Sequence, residues 1–264
     1  MTSFRTQYGP WAVVTGASSG IGRAFAGRLA ERGLHLVLVA RRGGVLDTLA
    51  ADLTASHGTE TRTVAADLGT ESGLADLEAA TADLDVGLLV ASAGFGTSGA
   101  FLESDLGDEV NMLDVNGRAV LRQVHHFGRR LAERGRGGLI LLGSLVGFQG
   151  TPFAAHYAAT KAYVQTLGEA LHVELKPMGV DVLVCAPGPV RTGFAERADM
   201  RMGATVAPDD VAEPTLAALG RRQTVRPGLL TKVLSGGLAL LPRWGKVRMM
   251  ARVMGGMTAH QTSA

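Results

Sequence analysis

Thr15-Gly16-Ala17-Ser18-Ser19-Gly20-Ile21-Gly22 follows the apolar run 11–14 and opens a stretch of helical spacing over 21–32, with Ile21, Phe25, Leu29 and Ala30 on one face. A glycine-rich turn leading from a buried strand into a helix can hold an anion. Glycines let the backbone approach closely, and the helix start offers unpaired N–H groups and the positive end of its dipole. Gly16, Gly20 and Gly22 stand at G-x-x-x-G-x-G spacing rather than G-x-G-x-x-G. Ser18 and Ser19 add hydroxyl donors to the same turn.

Outward from this turn the pattern repeats. Continuous apolar runs, read as strands, lie at 34–40, 61–66, 87–91, 139–142 and 180–185. Helical spacing separates them, through Leu46, Leu49 and Leu53, then over 73–84, about 107–134, 152–175 and 208–219. Strands that are apolar on both faces, each followed by a helix, imply a parallel sheet covered on both sides. Right-handed crossovers then give a doubly wound, Rossmann-like α/β/α fold in a single domain. The expected organisation is a catalytic domain over 1–225, with a substrate lid at about 190–210, and a C-terminal extension over 226–264.

Composition narrows the class. Of 264 residues, 46% are apolar and 19% charged, which supports a large core and excludes a disordered chain. The single cysteine, Cys185, excludes an intramolecular disulfide and any CxxC metal or redox site, and its apolar run reads as core. The first ten residues lack an apolar leader segment, and the longest uncharged run is broken by polar residues, proline and glycine. A cytoplasmic protein is expected. Net charge is +2, yet no acidic residue follows Glu213, while eight basic ones do, leaving the first 213 residues at −6.

The strand at 34–40 runs into Arg41-Arg42, with Ala40 where a carboxylate for a ribose 2′-hydroxyl is expected. A guanidinium suits a 2′-phosphate, so NADP(H) is favoured, with Arg41 the stronger clamp and Arg42 also read as a solvated helix start. Asp67 and Leu68 follow the third strand, and Ala93 and Gly94 the fourth, as further cofactor contacts or as local turn chemistry. At the other end, Ser144 closes the fifth strand, and Tyr157 and Lys161 stand four apart on one helix face. A phenol's pKa is near 10, and a neighbouring ammonium favours the phenolate. These three residues supply a carbonyl-binding hydroxyl, a proton donor and a tuning cation.

Together these motifs resemble the short-chain dehydrogenase/reductase family over roughly residues 10–220. The matching elements are TGASSGIG, Asp67, Ala93-Gly94, Asn116, Ser144, Tyr157, Lys161 and the segment from Pro187 to Thr192. The resemblance implies hydride transfer between a nicotinamide and a substrate carbon. Tyr157 would protonate the carbonyl oxygen, Ser144 polarise it, and Lys161 bind the nicotinamide ribose and lower the Tyr157 pKa. Asn116 would hold a relay water, and Pro187, Gly188, Val190 and Thr192 would pass over the nicotinamide. The Asn116-Gly117 pair, unfavourable inside a helix, reads as a functional kink. The chain departs from the family's Asn-Asn-Ala-Gly with Ala91-Ser92-Ala93-Gly94, which puts support of that strand end in question.

Phe95, Leu145, Val146, Phe148, Phe153, Phe194, Met200 and Met202 are candidate pocket residues or ordinary core. Their character points to a lipophilic ketone, aldehyde or acyl substrate. In the tail, Trp244, Val247, Met250, Ala251, Met254 and Met257 recur at helical spacing, with Arg248 and Arg252 facing away. Such a helix can lie on an anionic membrane, cap the pocket or join subunits. The expected function is carbonyl reduction with NADPH. Alcohol oxidation at the same site and a non-catalytic nucleotide sensor remain as alternatives. A homo-oligomer, dimer or tetramer, is expected; nucleic-acid binding and a metal are not, since adjacent His125 and His126 diverge on a helix.

Overall fold

The apolar runs lie side by side. The computed structural model describes residues 3–262, apart from the side chains of Leu230, Leu234, Ala239 and Thr262. Helix α1 (Phe4–Tyr8) precedes β1 (Trp11–Thr15), α2 (Gly20–Glu31), β2 (His35–Ala40), α3 (Gly43–His57), β3 (Thr61–Ala65), α4 (Glu71–Ala80) and β4 (Val86–Ala91). The second half runs α5 (Leu106–Leu113), α6 (Ala119–Arg134), β5 (Gly137–Leu142), α7 (Ala155–Glu174), β6 (Val180–Cys185) and α8 (Phe194–Arg197). It ends with α9 (Asp209–Ala218), β7 (Thr224–Val225), α10 (Leu229–Ala239) and α11 (Arg243–Thr258).

The strands form one parallel sheet in the order β3-β2-β1-β4-β5-β6-β7. Successive side chains point to opposite faces, and both faces are covered. In β1, Ala12 and Val14 join Phe25 and Leu29 of α2, while Val13 joins Leu74 of α4 and Phe127 of α6. The same division places Cys185, a free thiol, in the first layer with α9. This two-sided burial is why the central strands β1, β4 and β5 read as apolar runs, whereas edge strand β3, Thr61–Ala65, is only part-buried and carries Thr61, Arg62 and Thr63. The order reverses between β1 and β4, and a crevice beyond the strand ends at such a reversal is where this architecture places its ligands.

Three departures from the sequence reading have local causes. The run expected as one helix from about 107 to 134 is α5 and α6 joined by a π-helical turn, Asp114–Arg118. The kink expected at Asn116-Gly117 is therefore an extra residue in the turn. Strand β7 was not expected, because two residues carry no periodicity; it extends the sheet by pairing Cys185 with Val225. Helix α1 was not expected either. Ser3 caps it, and Tyr8 at its end donates a 2.7 Å hydrogen bond to buried Asp181.

Candidate active site

The turn after β1 is held by geometry that only glycine permits. Gly16 and Gly20 have φ of +68° and +54°, and a Cβ on Gly22 would stand 2.3 Å from the Gly16 carbonyl oxygen. A Cβ on Gly16 would meet Ala93 at 3.0 Å, so the turn lies directly against the end of β4. Ser19 caps α2 without giving its side chain to the first turn, and it is exposed. Those N–H groups and the Ser18 and Ser19 hydroxyls thus form a cradle suited to a pyrophosphate.

Beside the cradle, Arg42 donates from Nη2 to Ser18 Oγ at 3.1 Å. Arg42 is exposed at the start of α3, as read from sequence, and its guanidinium also turns back onto the glycine-rich turn. Arg41 is exposed next to it. Among the described residues neither pairs with a carboxylate. Asp67 takes the local role that was left open, accepting from the Gly69 N–H at 2.9 Å, while Leu68 is buried in the core.

At the Ala91-Ser92 departure the backbone is held from β1. The fully buried Thr15 hydroxyl accepts from the N–H groups of Ser92 and Ala93 at 3.1 and 3.2 Å, tying the end of β4 to the glycine-rich turn. Sequence reading did not single out this residue. Thr15→Val, which keeps the shape and removes the acceptor, is expected to cost about 1–3 kcal/mol of stability, read by denaturant unfolding.

Across the crevice, Ser144 ends β5, and Tyr157 and Lys161 lie one turn apart on α7. Burial pushes the Tyr157 phenol up to about 12, and a Ser144 hydrogen bond pulls the other way. Lys161 is 6% exposed, and burial pulls its ammonium down to about 8. Its Nζ donates to the Leu142 carbonyl at 2.8 Å and stands 5.8 Å from the Tyr157 ring centre. Desolvation is the larger influence on the phenol, and the Lys161 ammonium is held behind it by a strand-end carbonyl.

Asn116, fully buried in the π turn, clasps the backbone after β4. It accepts from the Phe95 N–H at 3.1 Å and donates to the Phe95 carbonyl at 2.8 Å and to Thr160 Oγ1 at 3.1 Å. Gly94 is pinched between Asn116 and Lys161, where a Cβ would sit 2.9 Å from Oδ1 and 3.4 Å from Nζ. The segment after β6 crosses the same crevice. Pro187 accepts from Leu145, the Gly188 N–H donates to Thr231 of α10 at 3.0 Å, and Val190 bridges to Val206. Thr192 reaches over the turn, its Cγ2 standing 2.9 Å from where a Gly20 Cβ would be.

Above Tyr157 lies an apolar roof. Val146, Phe194, Met200 and Met202, all candidates from sequence, pack with Tyr157; the Phe194 ring is 5.2 Å from the phenol ring. The structure adds Met250, Met254, Met257 and Leu238 from the tail. Helical spacing had marked the tail methionines as a buried face without saying against what. Trp244 is corrected: it is exposed, under Arg248, because it starts α11 beyond the lid. Phe153 lies beside α11 near Gly255, Leu145 is buried apart from the roof, and Phe95 and Phe148 are covered by Arg197 and Arg226. The tail's end is latched down as well, with Gln261 donating to Ser98 and to the Asp199 carbonyl.

Among the described residues no three His, Cys, Asp or Glu side chains gather as a metal site would, and no helix is long and apolar enough to cross a membrane.

Comparison with known proteins agrees with this geometry. The family model described as short chain dehydrogenase matches residues 10–202. A 7beta-hydroxysteroid dehydrogenase of Clostridium sardiniense is 35% identical over 234 residues, covering 87% of this chain and 90% of that protein. A very-long-chain 3-oxoacyl-CoA reductase of Meyerozyma guilliermondii is 38% identical over 185 residues, covering 66% of this chain and 54% of that one. Among solved structures, a short-chain dehydrogenase from Sphingobium yanoikuyae in complex with NADPH superposes with a TM-score of 0.79 at 31% identity, covering 89% of this chain and 97% of that one.

Proposed function

Because the chain belongs to the short-chain dehydrogenase family and is an oxidoreductase acting on CH–OH groups, we propose that it reduces a lipophilic carbonyl to an alcohol with NADPH. One observation supports the acid and the substrate class together. Tyr157, its phenol pushed up to about 12 by burial, lies in a cluster of methionine, valine and phenylalanine. A protonated phenol in an apolar chamber is a proton donor to a carbonyl oxygen.

The residues fit a nicotinamide cofactor: the glycine cradle takes a pyrophosphate, and Arg41 and Arg42 take a 2′-phosphate. When bound, that cofactor supplies the hydride. The chain's own residues do the rest. Ser144 orients the carbonyl oxygen, and Tyr157 gives it the proton, so that the carbonyl gains one hydride and one proton. Lys161 holds a positive charge behind the phenol. Asn116 positions Phe95 and Gly94 on the cofactor side. Gly16, Gly20, Ile21, Gly22, Ala93, Pro187, Gly188, Val190 and Thr192 line the cofactor path, with Asp67 and Leu68 at its adenine end.

Residues 1–225 act as the catalytic unit with the lid at about 190–210, and the tail serves as its roof. Hydroxysteroid ketones and 3-oxoacyl thioesters are the first substrates to test, following the relatives' activities. The same reading includes a cytoplasmic location, no nucleic-acid partner, a dimer or tetramer built on the exposed apolar face of α5, and peripheral contact of the tail with a membrane.

The test is NADPH and NADH consumption by purified protein over a panel of keto-steroids and 3-oxoacyl thioesters. Wild type is expected to turn over at least one lipophilic class and to prefer NADPH. Arg41→Ala/Arg42→Ala is expected to lose roughly tenfold or more of that preference through KM for NADPH, as two charge-assisted phosphate contacts disappear. An unchanged NADPH/NADH ratio would remove both arginines from the cofactor site.

A further inference from the structure

The tail helices have a second, unpartnered face. Met250 and Met254 turn inward into the buried cluster against which Leu238, Met257, Phe194 and Tyr157 also pack. Outward, Leu229 is 77%, Val233 63%, Leu240 88% and Trp244 64% exposed. Leu229, Val233 and Leu240 recur at helical spacing, so on α10 they form one stripe. Six basic residues lie between 226 and 252 with no acidic residue among them. None of the six forms an ion pair among the described residues. Arg243, Arg248 and Arg252 are exposed, and the Arg248 guanidinium covers the Trp244 ring at 5.2 Å.

Charge separates this surface from the other exposed apolar face. On α5, Leu106 and Val110 are 74% and 52% exposed, with exposed Asp105 and Asp108 on the same short helix start and Asp114 paired with Arg118 at 3.0 Å. Anionic lipid repels that face and attracts the tail. Tail-on-tail pairing of two copies would set six basic side chains of one against the same six of the other. An apolar stripe with Trp and basic side chains meets the demands of a lipid interface without that constraint.

We propose that the outer face of α10 and α11 docks on an anionic lipid bilayer, placing the roof of the site against the phase in which a lipophilic carbonyl dissolves. The last clause rests on the proposed reductase function; the docking does not. The test is co-sedimentation of the full chain with phosphatidylcholine vesicles, with and without phosphatidylglycerol.

Partition onto the anionic vesicles is expected to exceed that onto neutral ones by roughly tenfold or more and to fall with added salt. Leu229→Glu/Leu240→Glu and Arg243→Glu/Arg248→Glu are each expected to lower it roughly tenfold, with thermal stability and NADPH binding unchanged. Equal partition onto both vesicles, or indifference to both variants, overturns the proposal. So does salt-sensitive self-association of lipid-free protein that both variants abolish, which would give the face to a second copy. Vesicle binding without any carbonyl reduction would uphold the docking surface and remove only the substrate clause.

Discussion

Tyr157→Phe is expected to lower kcat for carbonyl reduction by about 10²–10⁴-fold while leaving NADPH affinity within about twofold of wild type. The substitution removes one oxygen and keeps the ring. The ring's packing against Phe194 at 5.2 Å and its place in the methionine roof are retained. Loss of fold therefore does not compete with loss of chemistry as an explanation. With the phenol near 12 in the wild type, the proton it gives is present throughout the neutral range. The carbonyl in the variant is left with Ser144 as a hydrogen-bond donor and no proton source, so the transition-state alkoxide is solvated by one hydroxyl instead of two. Single-turnover kinetics with NADPH bound would read the step directly. Turnover within a factor of a few of wild type would displace Tyr157 as the acid and with it the direction assigned to the reaction.

The parts of this site that were legible in sequence are those whose geometry is local. The glycine-rich turn needs only eight consecutive residues, and Tyr157 and Lys161 share a helix face by spacing alone. The fold followed from strands apolar on both faces, since α2 and α9 cover one side and α4 and α6 the other. What sequence did not show depends on contacts between distant segments. Nothing near Thr15 marks it as the acceptor for Ser92 and Ala93, because its partners lie across two strands. Arg41 and Arg42 are adjacent, and which one folds back on Ser18 is set by the path from β2 into α3. The spacing of Met250, Met254 and Met257 promised a buried face; that this face closes over Tyr157 depends on Ala198 and Met200 of the lid meeting it. Spacing put Lys161 beside Tyr157, but the Leu142 carbonyl that accepts from its ammonium is visible only once β5 and α7 are packed together.

Burial makes Lys161 a costly residue for the fold, which leads to an opposed pair of effects. Lys161→Met is expected to lower kcat/KM by at least about a hundredfold and to raise stability at pH 7 by about 1–2 kcal/mol. The ammonium's value falls from 10.5 to about 8 on burial, a cost of about 3 kcal/mol when the site is protonated. Methionine fills a similar volume without that cost. The Leu142 carbonyl then loses its donor, which returns about 1–2 kcal/mol of the gain. Between pH 8 and 10.5 the unfolded chain binds this proton and the folded chain does not, so wild-type stability from this group rises with pH. The advantage of the variant should therefore be full below pH 8, fall through zero between pH 8 and 10.5, and reverse to about 1–2 kcal/mol in favour of wild type by about pH 10.5, as measured by urea midpoints across that range. A variant less stable than wild type at pH 7, or an advantage independent of pH, would mean that burial does not weaken the amine's hold on its proton and that Lys161 is not kept at the expense of the fold. Inactivity combined with added stability is the expected signature of a residue kept for chemistry against the preference of the fold.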